Sequence, residues 1–190
     1  MGIIKDFPFN MNYSYGEDLR EVPDDAVAMK RGLEWLQDQL IEIPEEDKVQ
    51  QTILLSQISG FARIIGDLDL AEQSLIQAIE LLKDFKREDQ IFAMKLRLAI
   101  VYQYRKNFTK AERIYSDSLK AIDTTTDSRI KKYHDFVFQH YGKLKYDQGF
   151  YKEALDFFMR AYEERIIKGD LELVSSTEFA IAQTRKKLEL

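Results

Sequence analysis

Hydrophobic and small residues recur in the same order in three segments of the chain, residues 66–82, 106–122 and 149–165. Each segment begins with a turn and an aromatic residue or leucine. An alanine follows three residues later, a large apolar residue four after that, and a small residue three further on. These positions are Leu68, Ala71, Leu75 and Ala78; Phe108, Ala111, Tyr115 and Ser118; and Tyr151, Ala154, Phe158 and Ala161. The alanines lie 40 and 43 residues apart, a period that is typical of stacked helical repeats.

The same patterning predicts an all-α chain. Pro23-Asp24-Asp25 favours a helix start, because proline is tolerated in the first turn and acidic residues stabilise the positive helix end. Pro44 ends that helix, since the residue before a proline avoids the α region. From residue 45 onward we expect helices at 45–65, 68–84, 88–105, 108–122, 128–147, 151–167 and 171–188. The turns within each pair are short, so each pair is predicted to form an antiparallel hairpin.

Three zones follow along the chain. Residues 1–22 are rich in aromatic residues with glycine, proline and asparagine between them, and they predict an extended arm, either mobile or laid across the first helices. Residues 23–44 form an N-terminal capping helix. The repeat domain is expected at 45–190, with repeats at about 49–87, 88–126 and 128–169 and a final helix at 171–188.

Composition argues against catalysis. The chain has no cysteine, so disulfides, thiolate metal sites and a cysteine nucleophile are excluded. His134 and His140 are six residues apart, which does not place them on the shared helix face that a metal-binding pair uses. Ser116, Ser118, Ser175 and Ser176 have no nearby histidine to activate them, and no glycine-rich phosphate loop is present. We therefore expect a protein that is not an enzyme and that holds no cofactor and no metal.

Charge and hydropathy restrict the classes of partner that we expect for this protein. The formal net charge of −5 argues against nucleic acid as the main partner. No segment approaches the roughly 18 apolar residues that a membrane span needs, and the N-terminus lacks the pattern of a secretory signal. These features predict a cytoplasmic protein with no membrane partner.

Two further positions match in all three repeats. A small residue lies twelve positions before each repeat alanine (Ser59, Ala99 and Gly142), and a turn residue lies five before it (Gly66, Lys106 and Gly149). This pattern resembles the tetratricopeptide repeat (TPR), in which small residues let the two helices of a pair cross closely. The resemblance covers roughly residues 49–170. It implies a right-handed α-solenoid of antiparallel helix hairpins, a TPR-like superhelix.

Two departures refine the resemblance. The repeats are longer than the usual TPR period of about 34 residues, and the proline that commonly follows the second helix is missing. Longer repeats of this kind are similar to those of kinesin light chains and of peptide-sensing regulators from Gram-positive bacteria, which suggests a bacterial source. Only about 45 residues precede the repeats, too few for a helix-turn-helix domain with a linker. We therefore expect no DNA-binding domain in this chain.

The TPR resemblance also implies where a ligand binds. In that family the first helix of each pair, helix A, lines a concave groove. The positions that face this groove carry several cations and aromatic side chains, which favour an acidic ligand and supply apolar anchors. The predicted groove residues are Gln57, Arg63, Arg97, Gln103, Tyr104, Gln139, His140, Lys143 and Tyr146.

The resulting expectation is a non-catalytic scaffold that binds an extended peptide or a partner helix in this groove, with an acidic protein or peptide as its partner. Two alternatives stay open. One is a peptide-sensing regulatory protein of the bacterial quorum-sensing type without its own DNA-binding domain. The other is a structural module that self-assembles. Formation of a homodimer also stays open.

Overall fold

The structure is a computed structural model that describes residues 7–189. Two short strands precede the helices: β1 (Tyr13–Tyr15) and β2 (Glu21–Pro23). The helices are α1 (Ala26–Glu42), α2 (Lys48–Ile65), α3 (Leu68–Lys83), α4 (Glu88–Tyr104), α5 (Phe108–Thr124), α6 (Ser128–Lys131), α7 (His134–Asp147), α8 (Tyr151–Lys168) and α9 (Leu171–Leu188). The predicted all-α repeat class is confirmed by these sequentially packed helices. The chain forms two compact units, residues 7–16 with 20–105 and residues 17–19 with 106–189.

In the first unit, each helix from α1 to α4 packs on the next. The turn between α2 and α3 is made by Gly66, whose φ of 89° is accessible to glycine at little cost. Asp67 then caps α3 by accepting a hydrogen bond from the Leu70 amide. The core between these helices is formed by buried leucine, isoleucine and alanine side chains, among them Leu54, Leu55, Ile58, Ala71, Leu75 and Ala78.

The N-terminal arm belongs to this packing. Phe7 lies edge-on against Trp35 and Phe61, with ring centroids 6.1 and 5.6 Å apart. Met11 lies against Gly32 of α1, where a Cβ atom would come within 2.2 Å of the methionine sulfur. Both contacts join the arm to α1 and α2 of the first unit.

Residues 12–24 of the arm form an antiparallel ladder that the sequence did not predict. β1 pairs with β2 so that Tyr15 lies opposite Glu21, and the Asp24 amide donates to the Asn12 carbonyl at 3.0 Å. Strands of three residues are too short to show a period of two in the sequence. The sequence pattern predicts only an extended arm here, and the structure adds strand pairing within it, although the chain remains all-α in class.

The second unit is built on α7, α8 and α9. Arg165 of α8 is only 2% exposed. Its guanidinium donates to the Asp135 carboxylate of α7 at 3.0 Å and to the Thr177 hydroxyl of α9 at 2.7 Å. A buried charge is costly unless it is paired and hydrogen-bonded. This network therefore fixes three helices to one another.

The helix predicted at 128–147 is interrupted, which corrects the sequence interpretation. α6 ends at Lys131 and α7 begins at His134, because Tyr133 has a ψ of 3° that leaves the helical region. The interruption frees the Lys132 carbonyl from the regular helical ladder. Lys168 donates to that carbonyl at 2.8 Å, which replaces the missing backbone partner.

The repeated small residues lie at helix crossings, as predicted. Ala71, Ala111 and Ala154 are completely buried. At Gly142 of α7, a Cβ atom would lie 2.7 Å from the Phe158 ring of α8. Such a distance is closer than carbon atoms can approach without one of them moving, so the small residue sets the separation of the two helices.

We predict that Gly142→Ala lowers the free energy of unfolding by about 1–3 kcal/mol, because the added methyl group overpacks the contact with Phe158. Gly60→Ala is the matched control, since no atom lies within 4 Å of the added Cβ. That change should raise stability by about 1 kcal/mol through helix propensity. Urea unfolding of both variants checks this. Equal effects of the two substitutions would contradict a close crossing at Gly142.

Candidate functional site

The predicted site residues lie on three helices, each the first helix of a repeat. In the first unit, α2 holds Gln57 and Arg63, and α4 holds Arg97, Gln103 and Tyr104. In the second unit, α7 holds Gln139, His140, Lys143 and Tyr146.

In the first unit, the arm places a carboxylate between α2 and α4. Arg63 Nη1 and Nη2 donate to the two carboxylate oxygens of Glu21 at 2.7 and 3.1 Å. The side chains of Arg63 and Glu21 are only 11% and 9% exposed. The Tyr104 hydroxyl also donates a hydrogen bond to the Glu21 carboxylate, and it accepts a hydrogen bond from the Glu21 backbone amide at 3.3 Å. Arg63 and Tyr104 therefore form a carboxylate-binding site, here called the Arg63–Tyr104 site, and Glu21 occupies it.

The charges at this site favour hydrogen-bond donation to a carboxylate. Burial acts to lower the pKa of Arg63, but the adjacent Glu21 carboxylate outweighs it and the pKa is raised. Burial raises the pKa of the Tyr104 hydroxyl, so the hydroxyl keeps its proton at neutral pH. The guanidinium carbons of Arg20 and Arg63 also lie 4.6 and 4.8 Å from the centroid of the Tyr104 ring. At these distances a cation is attracted to the ring face.

The other predicted residues of the first unit lie in different surroundings. Arg97 is exposed and donates to the Ser56 hydroxyl on α2 at 2.6 Å. Gln57 is partly buried, and Gln103 is 3% exposed. The structure thus brings Arg63 and Tyr104 together around one group and places Gln103 in the interior.

In the second unit, α7 contacts another part of the arm. The Tyr146 hydroxyl donates to the Glu17 carbonyl at 3.1 Å. Leu19 is 3% exposed and belongs to an apolar cluster with the side chains of Tyr146, Ala154, Phe158, Ala180 and Ile181. Tyr146 of α7 therefore contacts a backbone carbonyl of the arm, and Leu19 packs in a cluster that α7, α8 and α9 share.

The remaining predicted residues of α7 differ in exposure. Gln139 is 3% exposed, and its Oε1 atom has no hydrogen-bond partner within residues 7–189. The His140 ring lies 4.1 Å from the Phe136 ring, centroid to centroid. Lys143 is partly exposed.

Sequence reasoning missed the residues that occupy these surfaces, Glu21 and Leu19. The signal was present, because the segment Glu17–Glu21 places three acids and a leucine in an arm attached to a domain with a cationic helix face. Opposite charges between an extended arm and such a face indicate an internal contact.

The part of the chain that the structure describes contains neither a candidate metal site nor a helix that could span a membrane. No group of three His, Cys, Asp or Glu side chains there could hold a metal ion. Across residues 7–189, no helix combines the length and apolar character that crossing a membrane requires.

Comparisons with known proteins support the fold. No protein-family model matches the chain, and no curated protein matches it in sequence. Among solved structures, the chain is similar to BtubC (BKLC) from P. vanneervenii, with a TM-score of 0.60 and 19% sequence identity. The similarity covers 85% of this chain and 66% of that one, so the chain spans just under two thirds of the length of BtubC. At this identity the similarity shows the fold alone, an all-helical arrangement compatible with TPR-like repeats.

We predict that Tyr104→Phe lowers the free energy of unfolding by about 1.5–3 kcal/mol, because it removes a hydrogen bond to a buried carboxylate and leaves the aromatic packing intact. Tyr162→Phe is the matched control. Its hydroxyl makes only an exposed, 3.3 Å hydrogen bond to Glu178, so a change within about 0.5 kcal/mol is expected. Chemical denaturation measures both. A Tyr104→Phe protein as stable as the Tyr162→Phe protein would contradict a hydrogen bond that contributes to stability.

Proposed function

We propose that this protein is a non-catalytic helical scaffold that binds an extended, acidic segment of a partner protein or a peptide on the helix A faces of its repeats. The observation behind this proposal is the way in which α2 and α4 bind β2. A strand of extended chain lies on these helices, and its glutamate is bound by a guanidinium and a phenol hydroxyl. A partner segment of the same chemistry would use the same kinds of contact.

The mode of binding has a physical basis. Arginine binds a carboxylate through two parallel N–H groups, which gives direction as well as strength. A tyrosine hydroxyl with a raised pKa adds a neutral donor to the same oxygen atoms. Together these groups select a carboxylate over a neutral side chain, because a neutral group would leave a buried guanidinium without a counter-charge.

Further cations extend along the helix A faces. Arg97 on α4 is exposed, and Lys143 on α7 is partly exposed. In a protein with a net charge of −5, cations at the positions that face the predicted groove would attract an acidic partner. The right-handed solenoid that would join these faces into one groove, the cytoplasmic location and the homodimer stay predictions. The fold similarity to BtubC supports a scaffold architecture.

We predict that Arg97→Glu and Lys143→Glu, tested separately, each weaken binding of acidic extended peptides by about tenfold or more. The reason is that each change replaces an attraction across the interface with a repulsion. Fluorescence polarisation against an array of 15-residue peptides of graded charge measures the affinities, and thermal melting verifies folding.

Lys120→Glu is the matched control, because it makes the same charge change at an exposed position of α5, the second helix of its repeat. Equal losses in all three variants would indicate an effect of net charge only. Unchanged binding in Arg97→Glu and Lys143→Glu would argue against the helix A faces as the binding surface.

A further inference from the structure

We propose that the β1–β2 hairpin is a displaceable internal ligand of the first unit. In this proposal, Glu21 occupies the Arg63–Tyr104 site at rest, and an extended partner segment gains access only by replacing the Glu21 carboxylate with one of its own. The inference rests on the proposed function and adds to it the identity of the site, the chemistry of the ligand and the way in which access is regulated.

In the first unit, β2 contacts the helices through the buried Glu21 side chain, whereas Leu19 in the turn before β2 packs in the second unit. Glu21 is 9% exposed at its side chain, whereas its neighbour Val22 is 47% exposed. Tyr13 and Tyr15 on β1 are 44% and 38% exposed. β1 and β2 therefore lose little apolar burial when they leave α2 and α4, provided that Leu19 stays in its cluster. The attachment of β2 to these helices depends on the Glu21 carboxylate.

The preceding part of the arm is anchored independently. Phe7 packs against Trp35 and Phe61, and Met11 fills the space above Gly32. These contacts lie on α1 and α2 and involve no residue of the Arg63–Tyr104 site. Local opening can therefore be confined to the two strands while Phe7, Met11 and Leu19 keep their contacts.

The burial of Arg63 decides what can replace Glu21. Removing the carboxylate alone would leave a guanidinium that is 11% exposed without a counter-charge, which is strongly unfavourable. A second carboxylate entering as Glu21 leaves avoids this state. The site therefore exchanges one acid for another, and it discriminates against neutral and basic segments.

Covalent attachment gives Glu21 an advantage over any free ligand. A segment tethered by a short linker competes at an effective concentration in the millimolar range. A free peptide with the same contacts therefore binds the wild-type protein poorly at micromolar concentration. Weakening the internal ligand removes this competition without changing the site itself.

The test uses the 190-residue chain and a fluorescent peptide with the sequence of residues 12–24, which contains the counterpart of Glu21. We expect Glu21→Gln to bind this peptide about tenfold or more tightly than wild type does. A second peptide carrying glutamine at the position of that glutamate should bind neither protein. Glu46→Gln is the matched control, because it makes the same change at an exposed position of the first unit and should bind as wild type does.

A second measurement uses the wild-type protein and does not depend on the stability of any variant. The Glu21 amide donates to the Tyr104 hydroxyl at 3.3 Å, so displacement of the hairpin exposes this amide to solvent. Hydrogen exchange at Glu21 should accelerate at millimolar concentrations of the glutamate peptide and not with the glutamine peptide. Exchange at Met29 in α1 should stay unchanged.

Equal affinity of wild type and Glu21→Gln, no binding by either, or unaltered exchange at Glu21 would each overturn the proposal. These results can be distinguished from failure of the proposed function. If acidic array peptides still bind and Arg97→Glu or Lys143→Glu weakens them, the scaffold function stands and only the internal-ligand role of the hairpin is lost. If those two substitutions have no effect, the scaffold function itself is contradicted.

Discussion

The architecture depends on how closely the two helices of a pair approach each other. Gly142 leaves no room for even one extra carbon against Phe158, and Ser59 and Ala99 at the equivalent positions are only 2% and 0% exposed. Protein interiors are packed as densely as organic crystals, so a larger residue at such a crossing forces the helices apart. This constraint fixes which helix surfaces face the core.

Two buried arginines are tied to partners on other elements. Arg165 joins α7, α8 and α9 through Asp135 and Thr177, and Arg63 joins α2 to the arm through Glu21. The two arginines differ in what holds their partner. Asp135 lies on a helix that is fixed by its own core contacts, whereas Glu21 lies on a three-residue strand whose central residue, Val22, is exposed. The same kind of ion pair is therefore structural in one unit and exchangeable, on our proposal, in the other.

Sequence patterning predicted the helices well because the period of the small and apolar positions reflects packing directly. Helix ends at Gly66 and Gly149 could be read from the turn residues, and both glycines adopt a positive φ. The break between α6 and α7 could not be read, because the carbonyl that it frees on Lys132 finds its partner in Lys168, 36 residues away. Local sequence contains no information about such a contact.

The candidate site was predictable only in part. Placing Arg63 and Tyr104 on a helix A face required the TPR resemblance, and the structure brings both to one carboxylate. That Glu21 supplies this carboxylate follows from the course of the arm, which has no periodicity to read. Gln103 was predicted to face the groove because of its position in the repeat, but the structure buries its side chain. The roles of all nine predicted residues in binding stay predictions.

A double-mutant cycle between Glu21 and Arg63 tests the central claim most directly, namely that one ion pair attaches the hairpin to the first unit. Glu21→Gln, Arg63→Met and the double variant are unfolded in urea, and the coupling free energy is taken from the four stabilities. Direct, buried, charge-assisted contact predicts a coupling of about 1.5 kcal/mol or more, with the double variant less destabilised than the two single effects would give together. Single effects that add to within about 0.5 kcal/mol would show that the two side chains act independently, and they would contradict the claim.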